Sequence, residues 1–295
     1  MSAIAASELI LRPDGSVYHL GLRPEHLAPL VVTVGDPERV PRVSRHFDAV
    51  EARLGAREFV AHVGRFAGRR ILCVSTGVGT DNVDIVLNEL DALANVDFGT
   101  RSPAPDLRRL TFVRIGTSGT MRGDVPLDAT VVSARAVGLD GLGPHYAFPG
   151  AELADALRAS YPSWAAAAYA ASASGELVDA WRGRGVVAGT TLTCAGFYGP
   201  QRRRLRLPFA GPTLAELARW RPAGRIEPAF ANFEMETAGL YGLAALLGHR
   251  AVSLSAILAN RVTGAFSGRP AATVEALIAE AFAAFGADPG LWWGE

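Results

Sequence analysis

The sequence predicts an α/β protein built from alternating strands and helices in layers. Three observations carry that expectation. Short apolar runs end in loops rich in Gly, Asp or Asn. Between them lie segments whose apolar residues recur at helical spacing. The 32 glycines and 18 prolines are spread along all 295 residues, as many short elements joined by turns require.

Taken in order, the run at 31–35 ends in Gly-Asp-Pro and reads as a buried strand entering a loop. Pro37 suits the first turn of a helix to about residue 46. Strands follow at 58–63 and 70–75, and the second enters STGVGTDN at 75–82. A helix over 82–94 places Val83, Val86, Leu87, Leu90 and Leu93 on one face. Further strands are expected at 110–115 and 129–134, and alanine-rich helices at 150–159 and 162–182. A strand at 185–192, a helix at about 234–247, a strand at 251–259 and an amphipathic helix at 271–285 complete the series. There is no internal repeat. Segments 97–109 and 205–231 read as loop insertions, so residues 1–295 form one domain with its core at about 8–285.

Composition narrows the function classes. With 29 basic and 29 acidic residues the formal net charge is zero, which gives no pull toward a nucleic acid. Every basic residue is arginine; without lysine, Schiff-base chemistry and a lysine phosphate loop are excluded. Cys73 and Cys194 form neither a disulfide framework nor a metal cluster, and a reducing cytoplasm is the expected setting. No run of 18 apolar residues suggests a membrane span, and the first 11 residues carry Glu8 without a basic leader.

Four strand ends finish in residues suited to a site: 35–39, 75–79, 114–119 and 259–261. Ligands of open α/β sheets bind beyond the carboxyl ends of strands, where glycine lets backbone amides approach an anion. Arg39, Arg114 and Thr117 would form an oxyanion cradle there, although taken singly each arginine is more often a solvated surface residue and each glycine a turn former. NFEMET at 232–237 reads as a helix start, which sets Glu234 and Glu236 about 200° apart on different faces. In FYGPQRRRL, the Gln201 amide and the Arg203 fork can both reach the edge of a heterocycle, while Phe197 covers its face. Arg202 and Arg204 are local support or solvated charge.

VYHLGL (17–22), GDPERV (35–40), REF (57–59), STGVG (75–79), RIGTSG (114–119), FYGPQRR (197–203), FEMET (233–237) and NR (260–261) occur in that order. Together they resemble the nucleoside phosphorylase superfamily, and within it the uridine phosphorylases. The resemblance implies a three-layer α/β/α fold around a mixed, partly barrel-like sheet, and a homo-oligomer, hexamer or dimer, with sites shared across an interface. It implies phosphate binding by Gly35, Arg39, Arg57, Arg114 and Thr117, with Arg57 reaching a neighbouring subunit's site. It implies ribose binding by Glu234, Met235 and Glu236, with His19 donated across the interface. Ser118, Phe197, Gln201 and Arg203 would hold the base and Arg261 support it, with Gln201, Arg203, Glu236 and Arg114 as the catalytic set. Uridine and inorganic phosphate would be the substrates, with no cofactor.

Asn260 stands where purine phosphorylases of the superfamily have an acid, which argues against purines. A hydrolase would not need cations at Arg39, Arg57 and Arg114. The order Gly199-Pro200 inverts the usual Pro-Gly, and Arg202 replaces what is often an acid. Glu58 matches the acidic ligand of a monovalent cation that some members hold between subunits, but Asn82 falls where a serine is expected.

Overall fold

The computed structural model describes residues 3–224 and 229–294. Its strands are β1 (Leu30–Val34), β2 (Ala49–Ala56), β3 (Phe59–Phe66), β4 (Arg69–Ser75), β5 (Val96–Asp97), β6 (Ser102–Pro103), β7 (Thr111–Thr120), β8 (Thr130–Leu139), β9 (Tyr169–Ser172), β10 (Val187–Cys194), β11 (Asn232–Glu234), β12 (Arg250–Asn260) and β13 (Ala265–Phe266). The helices are α1 (Arg39–Ser44), α2 (Thr80–Asn95), α3 (Glu152–Ser160), α4 (Gly175–Asp179), α5 (Leu214–Arg219), α6 (Thr237–Leu246), α7 (Pro270–Ala287) and α8 (Pro289–Trp293).

Strand pairing explains the mixed, partly barrel-like sheet. β7, β12, β8, β10 and β11 pair in a closed ring, and β1, β4, β3 and β2 extend from β7 as an open wing. β1 is parallel to both β4 and β7 and is buried throughout. A strand buried on both faces has no polar alternation, which is why 31–35 reads as a continuous apolar run.

The two faces are covered by different helices. Val31, Leu72 and Phe112 pack with Val83, Val86, Leu87, Leu90 and Leu93 of α2 and with Leu240 and Leu243 of α6. Val32, Cys73, Val113 and Val252 point the other way, against Val40 and Val43 of α1 and Leu277, Ile278 and Phe285 of α7. This alternation makes the three layers. By length and composition α7 would suffice to cross a bilayer, but here it is a core helix with one face packed on the sheet.

Four expected segments differ. Residues 162–182 are not a helix: β9 and the short α4 occupy them, and Arg135–Gly138 of β8 pair with residues 169–172. NFEMET does not begin a helix; Asn232–Glu234 is a strand parallel to β10, and α6 starts only at Thr237. The 97–109 segment begins in the small β5–β6 pair, and 205–231 contains α5, closed by a Thr213–Glu216 capping box. Residues 225–228 of that second segment lie outside the described residues.

Asp128 ties the turn before β8 to the start of α7. It sits at φ 66° and accepts hydrogen bonds from Ser267, Thr273 and Arg269. The Ser267 bond, followed by those of Thr273 and Arg269, pulls its carboxyl down to about 2. A folded pKa below the unfolded one gives stability that is present above about pH 4 and lost as pH falls through 2. Asp128→Asn should therefore flatten the acid limb of stability against pH, measured by urea unfolding between pH 2 and 7. An unchanged limb would remove Asp128 as its source.

Candidate active site

The strand ends converge on a cavity of about 740 Å³. Gly35, Arg39, Arg114 and Thr117 line it together with Ser118, Phe197, Gln201, Arg203, Glu234, Met235 and Glu236. Of the residues expected on the cavity from within one chain, only Arg261 is missing from its lining.

One end is cationic. Arg39 and Arg114 are both buried, and each leaves its Nε–H without a partner. Arg39 donates from Nη1 to the Ile115 carbonyl at 3.1 Å. Burial, then the neighbouring Arg114 charge, lowers the Arg39 pKa. Two buried guanidiniums with unsatisfied donors form a site for a multivalent oxyanion. The 35–39 and 75–79 loops contribute glycine backbone beside them, and a Cβ at Gly35 would lie 3.3 Å from the Gly77 carbonyl.

Arg114 also organises the centre. It contacts the Glu236 carboxylate directly and lies 3.4 Å from Glu234. Burial opposes its charge, but Glu236 and Glu234 outweigh burial and raise its pKa. Burial pushes the Glu236 carboxyl up, against the pull of Arg114 and of the Gly79 N–H, which donates to it at 2.7 Å. The expectation that the two acids serve separate faces is therefore corrected. With Glu234 ending a strand and Glu236 preceding α6, both converge on one guanidinium.

Their duties still differ. Glu234 accepts from Thr193 Oγ1 at 2.5 Å and from the backbone N–H groups of Glu236 and Thr237 at 2.9 and 2.8 Å. It is a buried anchor for the start of α6, where a carboxylate favours the helix dipole. Glu236 has fewer internal partners and is the carboxylate best placed to take ligand hydroxyls.

The other end is built by the 197–203 loop. Arg203 donates to the Phe197 carbonyl at 2.9 Å and to Gln201 Oε1 at 2.6 Å, and its guanidinium lies 3.6 Å from the Phe197 ring centroid. Burial, with help from Arg261, lowers its pKa to about 10, leaving it cationic at neutral pH. Because arginine only donates, this contact fixes the Gln201 amide with its carbonyl toward Arg203 and its NH₂ free. Arg261 holds the loop backbone, donating to the carbonyls of Gln201 at 3.0 Å and Arg202 at 3.4 Å.

Arg202 is local support. It is buried at φ 59°, donates to the carbonyls of Pro200, Ala210 and Pro212, and lies over Trp164 and Phe209. Arg204 is the solvated one. A cavity of about 870 Å³ lies across the loop, shares Arg203 and has no carboxylate in its lining.

His19 and Arg57 stand apart from this cavity. Arg57 lies 4.8 Å over the Tyr18 ring, and His19 bonds through Nδ1 to Glu89 at 2.7 Å. Asn260 does not line the cavity either. Its NH₂ donates to the Arg122 and Val125 carbonyls and its Oδ1 accepts from Val262 and Thr263. The amide is spent on a turn, so its identity bears less directly on the base than the sequence suggested. Glu58 and Asn82 do line the cavity, but no cluster of three His, Cys, Asp or Glu that could hold a metal occurs among the described residues.

Sequence reasoning passed over Gly116. A Cβ there would overlap the Arg114 guanidinium where it lies beside Glu236, so any larger residue would displace that side chain. Gly116→Ala should reduce kcat/KM for phosphate about 100-fold, the cost of a misplacement near 1 Å. Steady-state kinetics with phosphate varied would check this, and an unaltered value would show that Arg114 has another workable position.

A sequence profile of the phosphorylase superfamily matches residues 29–285. The chain is 30% identical over 255 residues to a uridine phosphorylase of Thermococcus kodakarensis, covering 86% of this chain and 80% of that one. It is 28% identical over 256 residues to the uridine phosphorylase of Escherichia coli, covering 83% and 86%. Among solved structures, a Trypanosoma brucei nucleoside phosphorylase described as showing uridine phosphorylase activity superposes with a TM-score of 0.82 at 25% identity, covering 94% of this chain and 98% of that one. The profile spans the wing, the ring and every loop lining the cavity, and by it the chain belongs to the phosphorylase superfamily.

Proposed function

We propose that the protein is a uridine phosphorylase, cleaving uridine with inorganic phosphate to uracil and ribose 1-phosphate. The observation that carries this reading is one cavity with buried Arg39 and Arg114 at one end, Glu236 at its centre and the locked Gln201–Arg203 pair at the other. The names of the similar proteins support the substrate assignment.

Phosphate held by the two guanidiniums, Thr117 and Gly35 attacks C1′. The new C1′–O bond forms as the C1′–N1 bond breaks, and the electron pair leaves with the base. Glu236 accepts from ribose hydroxyls and, as an anion, favours the positive charge developing on the sugar. Met235 lies against the sugar. Charge gathering on the pyrimidine carbonyls is met by the Gln201 NH₂ and Arg203, preorganised as in an oxyanion hole. An anionic pyrimidine stabilised this way needs no general acid.

His19 and Arg57 lie outside their own chain's cavity but beside each other across Tyr18. That placement favours a homo-oligomer in which a second chain supplies both. The Glu89 bond at Nδ1 leaves Nε2 as the nitrogen open to a ribose hydroxyl.

The test is uracil release from uridine with and without phosphate, with inosine and thymidine alongside. Phosphate-dependent release from uridine with inosine inert is the expected result. Release without phosphate would make the protein a hydrolase, and turnover of inosine would overturn the assignment of the Gln201–Arg203 pair.

A further inference from the structure

We propose that Asn232 is a positioning residue that holds Ser118 as a hydrogen-bond donor toward the leaving base, through a directed chain of buried side chains. The inference rests on the phosphorolytic reading above and adds a part to it. Ser118 lines the cavity where β7 passes from the phosphate end toward the Arg261-supported loop. Asn232, on β11, donates from Nδ2 to Ser118 Oγ at 2.9 Å. Its Oδ1 accepts from Thr191 Oγ1 on β10 at 2.8 Å, and Thr191 Oγ1 lies 2.6 Å from Ser133 Oγ on β8. Asn232, Thr191 and Ser133 are each 0% exposed, so water does not compete for these bonds.

With the Asn232 amide in this orientation, the chemistry of the other groups sets the direction of the chain. Thr191 has one hydroxyl proton. With that proton given to Asn232, Ser133 must donate to Thr191. The Asn232 carbonyl is then occupied by Thr191, and its NH₂ is turned toward Ser118. Ser118 Oγ therefore receives an N–H, and its own proton cannot be directed back along that bond. The proton is left for the cavity. Each link spans neighbouring strands of the closed ring, so the polarity at Ser118 is set by rigid backbone rather than by a loop.

The reaction gives that polarity a use. A pyrimidine breaking from C1′ accumulates negative charge on its carbonyl oxygens, so a hydroxyl whose proton is free for the cavity gains strength as a donor as the bond breaks. Were the amide reversed, Ser118 would spend its proton on Asn232 Oδ1 and offer lone pairs to an anion. The chain thus favours the transition state over the ground state, which is the condition for raising kcat.

The experiment compares the wild-type protein with Ser118→Ala, Asn232→Asp, Thr191→Val and the Ser118→Ala/Asn232→Asp double variant. Asn232→Asp keeps shape while replacing the donor by an acceptor. Each single variant should lose about tenfold to hundredfold in kcat on uridine, the range for one lost or reversed donor, with KM for phosphate unchanged. In the Ser118→Ala background Asn232→Asp should cost little more. The losses should shrink on 5-fluorouridine, whose base leaves more readily as an anion. Thr191→Val, two links from the cavity and nearly isosteric, keeps the proposal testable if Asn232→Asp does not fold.

Additive losses in the double variant, or a loss equal on both nucleosides, would overturn the proposal. A wild-type protein without phosphate-dependent uracil release would instead fail the functional reading and this proposal with it. An active wild type with additive variants would fail the chain of bonds alone.

Discussion

Replacing Arg114 by alanine should cost about 3–5 kcal/mol of folding stability and reduce phosphorolysis by about 1000-fold or more. Both effects have one cause. The guanidinium is buried and touches Glu236, with Glu234 at 3.4 Å, so its removal leaves two carboxylates facing each other without a cation. A buried charge stripped of its partner is far more costly than the pair was stabilising. Adding Glu236→Gln should recover part of the stability and none of the rate. Urea unfolding with parallel kinetics would show this, and a stable but inactive Arg114→Ala protein would mean that the carboxylates take up protons or rearrange at little cost.

Arg203→Ala should lower kcat/KM for uridine by about 100- to 1000-fold while KM for phosphate stays within about twofold, the loss associated with one preorganised donor. The side chain does three things at once. It presents charge to the base, orients Gln201 at 2.6 Å and covers Phe197 at 3.6 Å. Arg203→Lys should recover little, because an ammonium cannot bond Gln201, stack on the ring and face the ligand together. Equal losses in the uridine and phosphate parameters would show that the substitution had disturbed the whole cavity.

The cationic end of the cavity was legible in the sequence because its signals are local. Gly35 and Arg39 follow one apolar run, and Arg114, Thr117 and Ser118 end another. The 162–182 segment misled because alanine favours a helix in isolation, whereas β8 offers Tyr169–Ser172 a strand partner. NFEMET misled in the same way: Asn232–Glu234 pairs with Thr191–Thr193, some forty residues earlier in the chain. Thr191 and Thr193 carried no visible motif, and their importance comes from the register that sets them beside Asn232 and Glu234. Gly116 was printed inside a recognised motif, yet its reason is the bulk of Arg114, which no linear pattern displays.

β7 gives the site a fixed gauge. Arg114, Gly116 and Ser118 are alternate residues of one strand, so Arg114 and Ser118 are about 13 Å apart at about 3.3 Å per residue. The groups proposed to hold the incoming nucleophile and to meet the departing base are graduations on a single rod, with the bare backbone of Gly116 between them. β12 pairs with that rod along its whole length, while β1 holds its other edge up to Arg114 and β11 takes it up again at Gly119, so loop motion can open the mouth of the cavity without altering the interval. Inserting one residue between 114 and 118 would turn Ser118 to the opposite face and lengthen the interval together. Drift in this protein is therefore free to change the cover and rim of the cavity, while the distance between bond making and bond breaking is inherited as a number of peptide units.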